Sequence, residues 1–277
     1  MPGIIIVYPG GHGEVAVQAV GSEKNCASVG FAGARRLRPA RFVGATLVVY
    51  LFLVAVLLPY RADAEATAAF RLGRKGVSYM ERAARHNPFH PDYWNDLAMA
   101  ILNSGPLTPD GYARAAFNLL EARRLKPIDY RFPLHLARLE ARAAASLFDD
   151  ATAASRALSL FQEAVRLTPL DPRPRLELAA HYVGLKRPDD ALGVLREALV
   201  LEPNFVRARV LEASILLDAG RRDEARASLE LAEQTLGRLR GYEPDSGYAR
   251  DITMDARSER ERLAASLSVG DSSGTHS

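Results

Sequence analysis

Residues 157–170, ALSLFQEAVRLTPL, return 34 positions later at 191–204 as ALGVLREALVLEPN. Related copies begin at Gly76, Ala115 and Ala225. Each copy opens on a small residue. Four positions later comes a bulky apolar residue (Met80, Leu119, Phe161, Leu195, Leu229), and three after that an alanine (Ala83, Ala122, Ala164, Ala198, Ala232). Steps of four and three place these side chains on one face of a helix. Pro88, Pro127, Pro169 and Pro203 follow in four copies and end the helix, because proline has no amide hydrogen to continue the ladder; the fifth has Gly237 there.

A second helical pattern alternates with the first and carries Ala98, Ala137, Ala179 and Ala213, with Leu97, Leu136 and Leu178 before the first three. The distance from 76, 115, 157 and 191 to the next of these alanines is 22 residues every time. The return distance varies (17, 20, 12 and 12), so all length variation falls in one turn of a two-helix unit. Insertions confined to one turn mean that packing holds the other connection fixed. One such hairpin cannot bury its apolar faces alone, and stacking several makes a continuous core. The expectation is all-α, an α-solenoid of helix-turn-helix repeats.

YWNDLA with Trp94, LELAAHY, AGRRDEA and the spaced alanines and prolines resemble the tetratricopeptide repeat family over about residues 64–237. The resemblance implies a concave groove lined by the first helix of each unit and holding a peptide or partner segment. Carried over by alignment, its lining is Asn95, Met99, Leu134, Arg138, Arg173, Leu176, Arg207, Val210 and Ser214. Arginines alternating with short apolar residues suit an acidic extended segment or another anionic group. Solvated surface arginines are the plainer reading of the same pattern.

Residues 42–58, FVGATLVVYLFLVAVLL, hold no charge and stop at Pro59. As a helix they span about 25 Å, near the lower limit for a bilayer crossing, and their uniform apolarity lacks the polar stripe of a buried core helix. Two membrane readings stand side by side: a retained anchor over 42–59, or the apolar region of a signal peptide cleaved after Ala64 in ADA. Arg35, Arg36, Arg38 and Arg41 precede the run, which keeps that side cytoplasmic and puts the repeats outside, in a periplasmic position at the inner membrane. Residues 1–41 read as a disordered basic tail, 60–240 as the solenoid, 241–268 as a charged capping helix region and 269–277 as a disordered tail. The surplus of basic charge lies in the leader; the remainder balances at 31 basic and 31 acidic side chains. Nucleic acid is therefore not an expected partner.

Catalytic signatures are missing from the sequence. Cys26 is the only cysteine, His86 and His90 are separated by Pro88, and no H-E-x-x-H, G-x-S-x-G or lysine-bearing glycine loop occurs. The acidic pairs Asp149–Asp150 and Asp189–Asp190 fit helix starts, where carboxylates meet the positive end of the dipole. The reading is a non-enzymatic scaffold in the cell envelope, without metal or small-molecule cofactor, that binds protein or peptide segments in its groove and lipid through 42–58. Two alternatives remain. One is a cleaved soluble periplasmic repeat protein. The other is the C-terminal part of an O-antigen ligase or polymerase-type membrane protein, whose arrangement of a final span and repeats the chain resembles.

Overall fold

The computed structural model describes residues 5–9, 15–19, 37–148 and 151–273. The chain divides into two units, Met1–Arg61 and Ala62–Ser277. In the first, strands β1 (Ile5–Pro9) and β2 (Val15–Ala19) pair antiparallel, Val7 opposite Val17. In place of the disordered tail that the sequence predicts over 1–41, this hairpin occupies part of the segment, and helix α1 (Leu37–Phe52) begins before the apolar run. The run of β-branched and aromatic residues in IIIVY and the valines of VAV favour the strands.

Pro59 does not end the helix, contrary to the sequence reading. A π-type turn at Leu53–Leu57 joins α1 to α2 (Leu58–Leu72), and the Leu58 amide donates to the Leu53 carbonyl. This wider turn accommodates a proline, whose ring would otherwise strike the carbonyl four residues back. The resulting helix Val43–Leu72 has 30 residues and is long and apolar enough to cross a membrane; none of its most apolar stretch is buried.

The second unit is a series of helical hairpins stacked in chain order. Pairs α4 (Pro91–Asn103) with α5 (Pro109–Leu125), α6 (Arg131–Ala143) with α7 (Ala151–Leu167), α8 (Arg173–Gly184) with α9 (Pro188–Leu201) and α10 (Val206–Asp218) with α11 (Arg222–Arg238) make the closest contacts. Each second helix then packs on the first helix of the next pair. Ahead of them α3 (Val77–His86) packs on α4, while Ala62, Ala66 and Ala69 of α2 enter the same core as Met80 and Ala83. The Tyr93 hydroxyl donates to Asp63, and Arg82 pairs with Glu65 at 2.9 Å. Thus α2 serves as the leading helix of the first hairpin.

Every alanine of both repeat series is fully buried. Small side chains at the crossings let backbones approach, and Met80, Leu119, Phe161, Leu195 and Leu229 fill the space between, each contributing about 1.5–3 kcal/mol on burial. Helix starts follow local chemistry. Thr108 caps α5 by accepting from the Gly111 amide, and Pro91, Pro109 and Pro188 occupy first-turn positions where no amide hydrogen is needed. The turns after α8 and α10 are the same left-handed cap, with Lys186 at φ 57° and Gly220 at φ 75°. In both, the next amide returns to a carbonyl five residues back, Arg187 to Tyr182 and Arg221 to Leu216.

The charged capping helix region expected over 241–268 holds two helices. Helix α12 (Gly247–Thr253), capped by Ser246, and α13 (Arg257–Ser273) are separated at Met254–Asp255–Ala256. α13 lies against α10 and α11, with Leu263 and Leu267 buried, and continues past the expected boundary at 268. α12 instead packs on α10 with Ile252 buried.

Candidate functional site

The first helices of successive hairpins share one face, and between α6, α8 and α10 lies a hollow of about 250 Å³. Its walls include Leu134, Arg138, Arg173, Leu176 and Arg207, five of the nine groove residues named from the sequence. The other four lie elsewhere. Asn95 is buried behind the hollow, where its Oδ1 is 2.6 Å from His135 Nδ1. Met99 lines a separate apolar hollow of about 330 Å³ with Ala69, Phe70 and Met80. Val210 is 2% exposed and belongs to the core, which corrects its assignment to the lining: its side chain points between helices. Ser214, on the same helix, is half-buried outside the hollow.

Arg173 is not the free cation that the sequence suggested. Asp171 accepts from its backbone amide at 3.0 Å and from its guanidinium at 2.7 Å, and Tyr130 takes a further bond at 3.1 Å. Arg131 repeats this clip in the preceding unit, with Asp129 at 2.8 Å and Asp92 at 2.7 Å. Burial alone would raise the carboxyl of Asp129, but bonds from Arg131 and Lys126 prevail and hold it at about 2. Asp171 is likewise lowered, Arg173 outweighing burial. The motif Pro-x-Asp-x-Arg at 127–131 and 169–173 was the available signal for both clips.

Arg173 also carries an unforeseen partner. Asp251 of α12, 78 residues away, meets it at 3.0 Å, while the Tyr248 ring lies 5.2 Å beneath the guanidinium. The chain's own C-terminal segment therefore sets an acid and an aromatic ring on the groove arginine. Arg138 pairs with Glu177 of the next unit at 3.1 Å yet stays 44% exposed. Arg207 lines the hollow without an ion pair or hydrogen bond among the described residues.

His135 is the other missed residue. Asn95 donates through Nδ2 to Asp96 at 3.1 Å, so its Oδ1 faces His135 and receives the Nδ1 hydrogen; the tautomer follows. Burial, then Arg138 and Arg131, push His135 down to about 4, so at neutral pH it carries no charge. The hollow thus offers neutral imidazole, apolar Leu134 and Leu176, and an excess of guanidinium groups: a surface for an anionic, partly apolar segment.

The remaining candidates resolve simply. His90 stacks on Tyr93 at 4.5 Å, and among the described residues no group of three His, Cys, Asp or Glu side chains is placed to hold a metal ion. Asp190 pairs with Arg187 at 2.7 Å in the first turn of α9; Asp149 and Asp150 lie outside the described residues.

Residues 183–235 match the tetratricopeptide repeat family model. The fold is similar to that of TTC0263, a thermophilic TPR protein in Thermus thermophilus, at 21% identity and TM-score 0.54, covering 74% of this chain and 98% of that one. It is similar also to MamA protein, at 15% identity and TM-score 0.51, covering 70% and 98%. No curated protein sequence matches. The second unit has the fold of a tetratricopeptide-type solenoid.

Proposed function

We propose that this chain is a non-enzymatic, membrane-anchored scaffold whose groove between α6, α8 and α10 holds an acidic segment of a protein partner. The observation that carries this reading is Asp251 on Arg173, with Tyr248 beneath the guanidinium. An internal acid already uses the groove as a receptor, and Arg138 and Arg207 extend the cationic surface beyond it. A charge-assisted bond between arginine and carboxylate is roughly twice as strong as a neutral one, which favours an acidic ligand over a neutral peptide. The helix Val43–Leu72 supports anchoring, and Arg35, Arg36, Arg38 and Arg41 support a cytoplasmic leader with the repeats on the extracytoplasmic side. Confinement at a membrane raises the effective concentration of the groove for neighbouring proteins.

The test is direct. A fluorescent peptide copying residues 245–255 is titrated against the full chain and against its Asp251→Ala variant, which weakens the internal occupant. The variant is expected to bind the peptide more tightly than the parent, and Arg173→Glu together with Arg207→Glu to abolish binding. Peptide affinity indifferent to both charge reversals sinks the groove reading.

A further inference from the structure

The hairpins meet at four corners built alike. In each, an amide closes a turn onto the carbonyl three residues back: His90 to Asn87 at 3.3 Å, Asp129 to Lys126 at 3.2 Å, Asp171 to Thr168 at 3.2 Å and Phe205 to Glu202 at 3.1 Å. Proline holds the second position each time, so the third position is the tip. Equivalent turns on stacked units put their tips along one edge. Three tips are large and apolar, and all are strongly exposed: Phe89 80%, Ile128 75% and Leu170 81%. The fourth is Asn204.

Charge at the corners changes with the tips. The last turns of α3, α5 and α7 carry Arg85 and His86, Arg123 and Arg124, and Arg166, and Lys126 opens the second corner. The last turn of α9 has no basic residue, and its corner opens on Glu202. Arg85, Arg124, Lys126 and Arg166 are exposed; Arg124 and Lys126 also pair with Glu121 and Asp129 at 2.9 and 3.0 Å, while Asp129 and Asp171 turn inward onto Arg131 and Arg173. Basic residues at a helix C-terminus are explained by the helix dipole alone. Exposed Phe, Ile and Leu beside them are not.

We infer that this edge docks on a bilayer surface containing anionic lipid, Phe89, Ile128 and Leu170 entering between headgroups and the flanking cations meeting phosphates. Separate apolar tips, one per repeat, do not form the continuous patch that a protein partner would bury, but a fluid headgroup layer admits each singly. Cations near an anionic leaflet add attraction that salt screens. The inference rests on the anchor reading, which keeps a bilayer within reach of the edge.

The experiment uses the full chain with Cys26→Ser, reconstituted in vesicles of phosphatidylcholine alone or mixed in equal parts with phosphatidylglycerol. Ile128→Cys and Asn204→Cys are labelled separately with an environment-sensitive nitrobenzoxadiazole dye. The expected result is a blue shift and quenching by spin-labelled lipid for the position-128 dye in the phosphatidylglycerol vesicles. Both effects should shrink in high salt and on adding Phe89→Ser with Leu170→Ser, while the position-204 dye stays aqueous. The inference is overturned by an aqueous signal at both positions, by equal signals at both, or by a shift that follows protein density instead of lipid composition, which marks a contact between copies. Flotation of the same vesicles reports the anchor independently: chain that floats with an aqueous 128 dye refutes the edge alone, and chain that does not float refutes the anchor.

Discussion

Acidification isolates His135. Its folded value is about 4 against an ordinary 6.5, because burial and then Arg138 and Arg131 oppose its charge. A depressed histidine means that the unfolded chain takes up a proton near pH 6.5 which the folded chain refuses until about pH 4. Stability is therefore lost as pH falls through this window and levels off below it. The whole interval corresponds to about 3 kcal/mol, of which about 2 kcal/mol is gone by pH 5. His135→Asn keeps a side-chain amide near the Nδ1 position to donate to Asn95 and removes the titration. Urea unfolding at pH 7, 6 and 5 should show the parent losing about 2 kcal/mol more than the variant. The slope is the readout, so any constant cost of the smaller side chain cancels, as does the burial-lowered His181, which shifts in the same direction in both chains. Asp129 acts in a separate window: lowered to about 2, it supplies stability that persists above pH 4 and vanishes only as pH falls toward 2. Parallel pH dependence of the two chains between 7 and 5 would refute a half-buried neutral imidazole in the groove wall.

Two further substitutions test the repeat geometry. Lys186 occupies at φ 57° the left-handed position that Gly220 fills one repeat later, so Lys186→Gly should raise stability by up to about 1 kcal/mol, read as a higher urea midpoint with unchanged slope. A Cβ on Gly76 would come 2.3 Å from the Ala69 carbonyl oxygen, a backbone contact that cannot yield cheaply. Gly76→Ala should thus cost about 1–3 kcal/mol and speed amide exchange across residues 62–72 first. Unchanged exchange there would mean that α2 is not packed as the leading helix of the first hairpin.

How much of this was legible beforehand divides along a physical line. Helix faces, the alanine crossings at Ala98, Ala137, Ala179 and Ala213, and the prolines ending each unit are local, since periodicity and the missing proline hydrogen act within one turn. Stacking then follows, because each copy presents an apolar face only another copy can cover. Even local rules miscarry where a compensating distortion is cheap: a single π-type turn carried the helix past Pro59, and the charged capping region divided at Met254 once Ile252 had its own place on α10. The groove needed the tertiary structure. Nothing near Arg173 in sequence announces Asp251, the inward turn of Val210 depends on the rotation of α10 between its neighbours, and the shift of His135 arises from burial shared among several helices. Short-range sterics and hydrogen bonding are written in adjacent residues; electrostatics and side-chain direction depend on distances that exist only after the hairpins have stacked.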